Sequence, residues 1–234
     1  MKADLIFYRA VRGILAGFAR LFWRLEIRGR ENVPASGPFV LAPVHRSNID
    51  FLLASTVTKR RMRFMGKDSL WKYAWLGKIW TALGAFPVKR GTPDREALRQ
   101  TVDAIKAGEP AVIFPEGTRR SGPVVEELFE GAAYVAAKTG VPIVPVGIGG
   151  SEAAMPRGSK MLKPVKIVMT VGKPIEVRLT SEGRVARSAV RETTQALQAE
   201  IQRLYDEAQQ LSGSFSPAVP LHGSSDGSDG DSSA

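Results

Sequence analysis

Short apolar runs recur along this chain and leave it few folds to choose from. Pro38-Phe39-Val40-Leu41-Ala42, Gly84-Ala85-Phe86-Pro87-Val88, Ala111-Val112-Ile113-Phe114 and Val141-Pro142-Ile143-Val144-Pro145-Val146-Gly147-Ile148 read as short buried strands. Segments with helical spacing or helix punctuation lie between them: from Ile49 onward, Leu70 to Leu83, a helix opened by Thr92-Pro93 and closed by Gly108, and Glu126 to Thr139. Further strands are expected at Leu25 to Gly29 and Val165 to Val171, with a long polar-faced helix from about Gly183 to Leu211. The alternation predicts an α/β fold, a single layered domain with a mainly parallel central sheet flanked by helices. Pro142 and Pro145 predict an edge or irregular position for their strand, because proline donates nothing to a ladder.

The 234 residues, 44% hydrophobic and 24% charged, suffice for one substantial core. The expected organisation is an N-terminal helix (1–24), a domain (25–211) and a disordered Ser/Gly/Asp-rich tail (212–234). With no cysteine the chain has no disulfide, no thiol nucleophile and no thiolate metal ligand. The formal charge is +10, and the tail holds acids but no Lys or Arg, so the body is more basic still. Such a body favours an anionic partner without choosing among lipid headgroups, nucleotide phosphates, an acidic carrier protein and nucleic acid.

In the N-terminal segment Arg9, Arg12, Arg20 and Arg24 fall within a helical arc of roughly 120°, opposite Phe7, Val11, Ile14, Phe18, Leu21 and Phe22. The arginines argue against a conventional span, and Arg9 and Arg12 against a secretory signal. Two readings remain: a helix lying in a membrane interface, with Trp23 and the arginines at headgroup level, or one packed on its own core. Trp71, Trp75 and Ile79 share a face if Leu70 to Leu83 is one helix, as core packing or as an interfacial belt. Arg157, Lys160 and Lys163 mark Ser151 to Lys163 as a basic loop near phosphate or lipid.

The run ending at Pro43 delivers His45-Arg46-Ser47-Asn48-Ile49-Asp50 into a strand-to-helix turn. Ser47 as N-cap and Asp50 as the acidic half of a capping box are sufficient structural reasons for these residues. They also carry chemistry. A neutral imidazole, pKa about 6.5 when unperturbed, can accept a hydroxyl proton, and a nearby carboxylate can orient the ring and stabilise the imidazolium. The other histidine, His222, falls in the expected disordered tail, so His45 is the candidate base. Ser47 as a hydrolase nucleophile lacks the Gly-x-Ser-x-Gly elbow.

His45-x4-Asp50 matches the signature of the glycerolipid acyltransferases, and three more blocks follow in that family's order. Gly84 to Arg90 resembles its Gly-x5-Arg block, Phe114-Pro115-Glu116-Gly117-Thr118-Arg119 its Glu-Gly-Thr-Arg block, and Val141 to Pro145 its proline block. The resemblance spans about Leu25 to Val171 and is greatest to bacterial 1-acylglycerol-3-phosphate acyltransferases. It implies fatty acyl transfer from acyl-CoA or acyl-acyl-carrier protein, as co-substrate, to a lysophospholipid hydroxyl, with no cofactor or metal. His45 would be the base and Asp50 its orienting partner. Substrate would be held by Gly84, Lys89, Arg90, Glu116, Gly117, Thr118 and Arg119, with oxyanion donors near Gly84 to Arg90, the acceptor phosphate on Arg119 with Lys89 or Arg90, and Glu116 positioning Arg119 or an acceptor hydroxyl. The expected setting is the cytoplasmic face of the cell membrane, peripheral or monotopic on an anionic surface, with no nucleic-acid partner. A different acceptor, such as glycerol 3-phosphate, another lysophospholipid or a lipid-linked sugar, is the alternative, and a non-enzymatic basic binding module a further one.

Overall fold

The computed structural model of the protein describes residues 2–88, 95–177 and 186–214. Seven strands, β1 (Glu26–Arg28), β2 (Val40–Pro43), β3 (Arg63–Lys67), β4 (Ala85–Val88), β5 (Ala111–Val112), β6 (Ile143–Gly149) and β7 (Val168–Val171), form one sheet among the described residues. Its order is β1-β7-β6-β2-β5-β3-β4, and every pair is parallel except β6–β7. The helices are α1 (Lys2–Phe22), α2 (Asp50–Thr56), α3 (Ala74–Ala82), α4 (Arg95–Lys106), α5 (Gly131–Thr139), α6 (Ser151–Ala154) and α7 (Arg187–Ser212). Phe39, Leu41, Ile143, Ile148 and Met169 from the sheet, with Leu197, Ile201 and Tyr205 from α7, are fully enclosed in the core. The α/β architecture and mainly parallel sheet agree with the sequence pattern.

Of the two expected positions β6 takes the irregular one, in the interior of the sheet rather than at its edge. It pairs with β2 on one side and β7 on the other, despite Pro145 in its middle. Pro145 is tolerated because the neighbouring chain diverges where its N–H is missing. The β7 ladder ends at Val171, Gly172 donates to the Pro145 carbonyl, and the chain re-engages only at a bridge between Ile143 and Ile175. Gly147 and Gly149 then let α7 lie directly on β6: a Cβ at either would overlap the α7 backbone at Leu204 or Ala208.

Helix α5 starts five residues later than the pattern suggests. Gln202 of α7 receives Val125 N–H on its carbonyl oxygen and donates to Pro123 O, while Gln198 donates to Val125 O. These side chains satisfy backbone groups at Pro123 and Val125 without a helix, so the chain leading into α5 need not be helical. The tryptophan segment is also interrupted: a 3₁₀ turn at Asp68–Trp71 precedes α3, and Trp71 folds back over Gly66 and Gly77 while Trp75 stays exposed.

Helix α1 docks by part of its basic side. Arg12 donates to Thr58 O at 2.6 Å and Thr56 O at 2.9 Å, and Arg30 to Thr56 O at 2.7 Å, so two guanidiniums satisfy the orphan carbonyls at the C-terminus of α2. Tyr8 and Ala19 are buried, whereas Ile6, Phe7, Ile14, Phe18 and Leu21 are exposed, Leu21 by 86%. Trp23 is no interfacial residue: it is 2% exposed and its indole N–H donates to Lys163 O. Among the described residues no helix is long and apolar enough to cross a membrane.

Candidate active site

Parallel strands aim their C-terminal ends at one edge, where such sheets hold ligands. Strand β2 delivers His45 to that edge and β5, one strand over, delivers Glu116. The paired register makes the two loops neighbours, and Arg120 N–H closes on His45 O at 2.9 Å.

His45 Nδ1 lies 3.0 Å from Asp50 Oδ2. That same oxygen accepts the N–H groups of Arg46 and Ser47, each at 2.6 Å, so the buried carboxylate is fixed by backbone before it touches the imidazole. An Nδ1–H donated to Asp50 leaves Nε2 as the acceptor nitrogen. Phe114 stacks on the ring with centroids 4.1 Å apart, which sets its plane. A partly accessible imidazole held this way can take a proton from a bound hydroxyl.

The expected capping box does not form: Asp50 is the first residue of α2 and accepts the N–H groups of Arg46 and Ser47 from ahead of the helix. Helix α2 begins at Asp50 after Ile49, with no side-chain cap, and the buried Ser47 hydroxyl donates to Met155 O at 2.8 Å. That hydroxyl is committed to a carbonyl and bonds no base among the described residues, which argues against a serine nucleophile.

Arg46 carries more of the site than its place in the motif suggested. It is fully buried, and its Nη1 binds both oxygens of the equally buried Glu116, at 2.6 and 2.8 Å. Its remaining donors reach His45 O, Gly122 O and Val124 O, and its guanidinium lies 4.9 Å from the Tyr205 ring centroid. Burial alone would lower the pKa of Arg46; the charge and hydrogen bonds of Glu116, then Tyr205, outweigh it, and the net direction is upward. Burial pushes the Tyr205 phenol up to about 12 against the opposing pull of Arg46. The phenol donates to Gly122 O and accepts from Gln209.

Glu116 therefore positions neither Arg119 nor a substrate hydroxyl. Its second oxygen accepts His45 N–H at 2.8 Å, tying it to the histidine backbone and Arg46. Nothing in the His-x4-Asp spacing reveals this pair, and only the short side chain-rich loops at adjacent strand ends hint at it. Gly117 adopts φ 66°, and a Cβ there would come within 2.6 Å of the Phe129 ring, so glycine is required for the turn. Thr118 is exposed, and Arg119 is half-buried with no hydrogen bond or ion pair to any described residue. Its backbone is one residue from the Arg120–His45 contact, so Arg119 belongs to the same loop edge as the imidazole.

Gly84 does not belong to this edge. It precedes β4, its N–H is donated to Thr81 O, and the register places it level with Val40, at the opposite end of the strands from His45. Its φ of 96° and its close approach to Met62 O make it the turn glycine that starts β4. By the same register Val88 is level with Val44, and Lys89 and Arg90 follow it, outside the described residues.

The sequence profile of the Acyltransferase family matches residues 24–149, from the start of the sheet through β6. The chain belongs to the Acyltransferase family. As an acyltransferase it is 29% identical over 192 residues to the 1-acyl-sn-glycerol-3-phosphate acyltransferase of Bacillus subtilis, covering 80% of this chain and 91% of that one. It is 26% identical over 221 residues to the enzyme of that name from Streptococcus pneumoniae, covering 90% of this chain and 77% of that one. A chloroplastic enzyme of that name from Arabidopsis thaliana is 32% identical over 158 residues, 66% of this chain but 44% of the longer plant protein. The fold matches the crystal structure of the LPA acyltransferase PlsC of Thermotoga maritima with a TM-score of 0.70, at 22% identity, over 90% of this chain and 83% of that one.

Proposed function

We propose that this acyltransferase moves a fatty acyl group from a thioester, acyl-CoA or acyl-acyl-carrier protein, to the free hydroxyl of 1-acylglycerol 3-phosphate, making phosphatidic acid for phospholipid synthesis. The observation that carries the proposal is the His45–Asp50 pair, 3.0 Å apart, with Nε2 bonded to no described residue, at the sheet edge whose loop carries Arg119, itself in no hydrogen bond or ion pair with a described residue.

His45 Nε2 takes the proton of the acceptor hydroxyl while Asp50 stabilises the imidazolium, a role that contributes about 10²- to 10⁴-fold. The hydroxyl oxygen bonds to the thioester carbonyl carbon, and the resulting oxyanion collapses with cleavage of the C–S bond. The thiolate leaves with the proton His45 had taken, so the imidazole ends neutral and the atoms balance without a cofactor. Arg119 holds the acceptor phosphate by bidentate hydrogen bonds, and Lys89 and Arg90 are the other candidate cations. Gly84, at the far edge, is dropped as an oxyanion donor.

The exposed apolar residues of α1, beside Arg9 and Arg20, support peripheral attachment to the anionic cytoplasmic face of the cell membrane. The test is transfer from labelled acyl-CoA or acyl-acyl-carrier protein to lysophosphatidic acid in vesicles, wild type beside His45→Ala. Phosphatidic acid formed by the wild type and reduced at least about 10²-fold in a folded variant is the expected result. Equal turnover by the two proteins would overturn the role of His45.

A further inference from the structure

The loop after α6 is unusual for a surface turn. Lys163 N–H closes back on Ala154 O at 2.8 Å, and within the loop Ser159 N–H bonds Pro156 O and Met161 N–H bonds the Ser159 hydroxyl, each at 3.0 Å. The loop is thus built, yet it presents its apolar side chains outward: Met161 is 76% exposed and Leu162 is exposed beside it. Arg157, Lys160 and Lys163 flank them, all exposed and none in an ion pair with a described residue, and there is no acid from Ala153 to Lys163.

Both ends of the loop are anchored to elements already described. At its start Met155 O receives the Ser47 hydroxyl, two residues from His45. At its end Lys163 O receives the indole N–H of Trp23, whose ring packs edge-on against Phe18 and Phe22 at the C-terminus of α1. The two ends of the loop are therefore tied to the His45 turn and to the end of α1, where Leu21 and Arg20 are exposed.

We propose that the Ala154–Lys163 loop is a second membrane-inserting element, which seats Met161 and Leu162 in an anionic phospholipid bilayer and its three cations at the headgroups. Apolar tips flanked by cations that pair with no described acid fit a charged lipid surface, where the side chains leave water and the cations meet opposite charge. The inference rests on the proposed reading of the site as acting on a lipid acceptor. It adds a contact beside the active site to the one made by α1, so that the mouth of the site faces the bilayer from which a lysophospholipid would enter.

The chain has no cysteine, so one introduced thiol can be labelled uniquely. Met161→Cys, Ile14→Cys on the exposed side of α1, and Asp103→Cys on α4 as control are each coupled to an environment-sensitive fluorophore. They are then titrated with vesicles of equal parts phosphatidylglycerol and phosphatidylcholine. Blue shifts at 161 and 14, quenched by bromine on the lipid acyl chains, with none at 103, are expected. A shift at 14 without one at 161 would overturn the loop proposal and leave membrane attachment through α1 intact; no shift at either would overturn both. In parallel, Met161→Asp with Leu162→Asp should weaken vesicle binding by about tenfold or more. Unchanged binding by that folded variant would also overturn the proposal.

Discussion

Replacing Glu116 by Gln removes one charge from a pair in which Arg46 is 0% and Glu116 1% exposed. Two donors converge on the carboxylate: Arg46 Nη1, which bonds both oxygens, and His45 N–H, which bonds the second. An amide has one acceptor oxygen, so either Arg46 or His45 N–H must face an NH₂ group, and the guanidinium is left buried without a counter-charge. Breaking a buried pair from one side costs about 3–5 kcal/mol. A comparable fall in unfolding free energy is expected from urea titrations followed by tryptophan fluorescence. Glu116→Gln combined with Arg46→Met removes the stranded charge and should recover much of that stability. It should not recover turnover, because His45 N–H and the Gly122 and Val124 carbonyls keep altered partners. A loss below about 1 kcal/mol for Glu116→Gln, or full activity in the double variant, would refute the reasoning that this pair fixes the histidine.

The phenol of Tyr205, held near 12 against 10.0 when unperturbed, stays protonated in the folded state after the unfolded chain has released its proton. Stability should therefore fall as pH rises from about 10 to 12, at about 1.4 kcal/mol per pH unit at most; urea midpoints should show a shallower fall in Tyr205→Phe, and identical slopes would refute this. Arg119→Ala should raise KM for a phosphate-bearing acceptor at least about tenfold with the melting temperature unchanged, Arg119→Lys restoring part of it; steady-state kinetics with an unaltered KM would remove Arg119 from the phosphate site. Gly147→Ala forces a methyl into the α7 backbone and should cost about 1–3 kcal/mol in thermal or urea unfolding.

The parts of this molecule legible in its sequence are those fixed by local patterns. Apolar runs such as Phe39 to Ala42 and Ala111 to Phe114 announce buried strands because both faces are covered. His45 and Asp50 announce themselves because five residues span one turn between strand and helix. Where sequence reasoning failed, distant groups had overridden the local rule. Pro145 sits in a central strand because the chain beyond Val171 bends away from it. The segment before α5 is non-helical because Gln198 and Gln202, 73 to 79 residues later, bind the backbone at Pro123 and Val125. Trp23 looked interfacial in composition, yet its indole meets a carbonyl 140 residues away. Arg46 and Glu116, 70 residues apart, show no periodicity or spacing that would pair them, and the arginine beside the histidine reads as surface until the fold buries it.

The dependence of Arg46 on Tyr205 and Gly122 also sets an order of events in synthesis. The imidazole and its carboxylate are made within one stretch of six residues, but the arginine between them is closed in only when α7 has arrived. At about 5–20 residues per second a ribosome delivers residue 205 roughly ten to thirty seconds after residue 46. Throughout that interval the nascent chain can hold the imidazole–carboxylate pair but not the fully buried cation beside it. Enclosure of this arginine is thereby tied to the synthesis of α7, and a chain not yet extended to residue 205 would carry the motif without the groups that close over it.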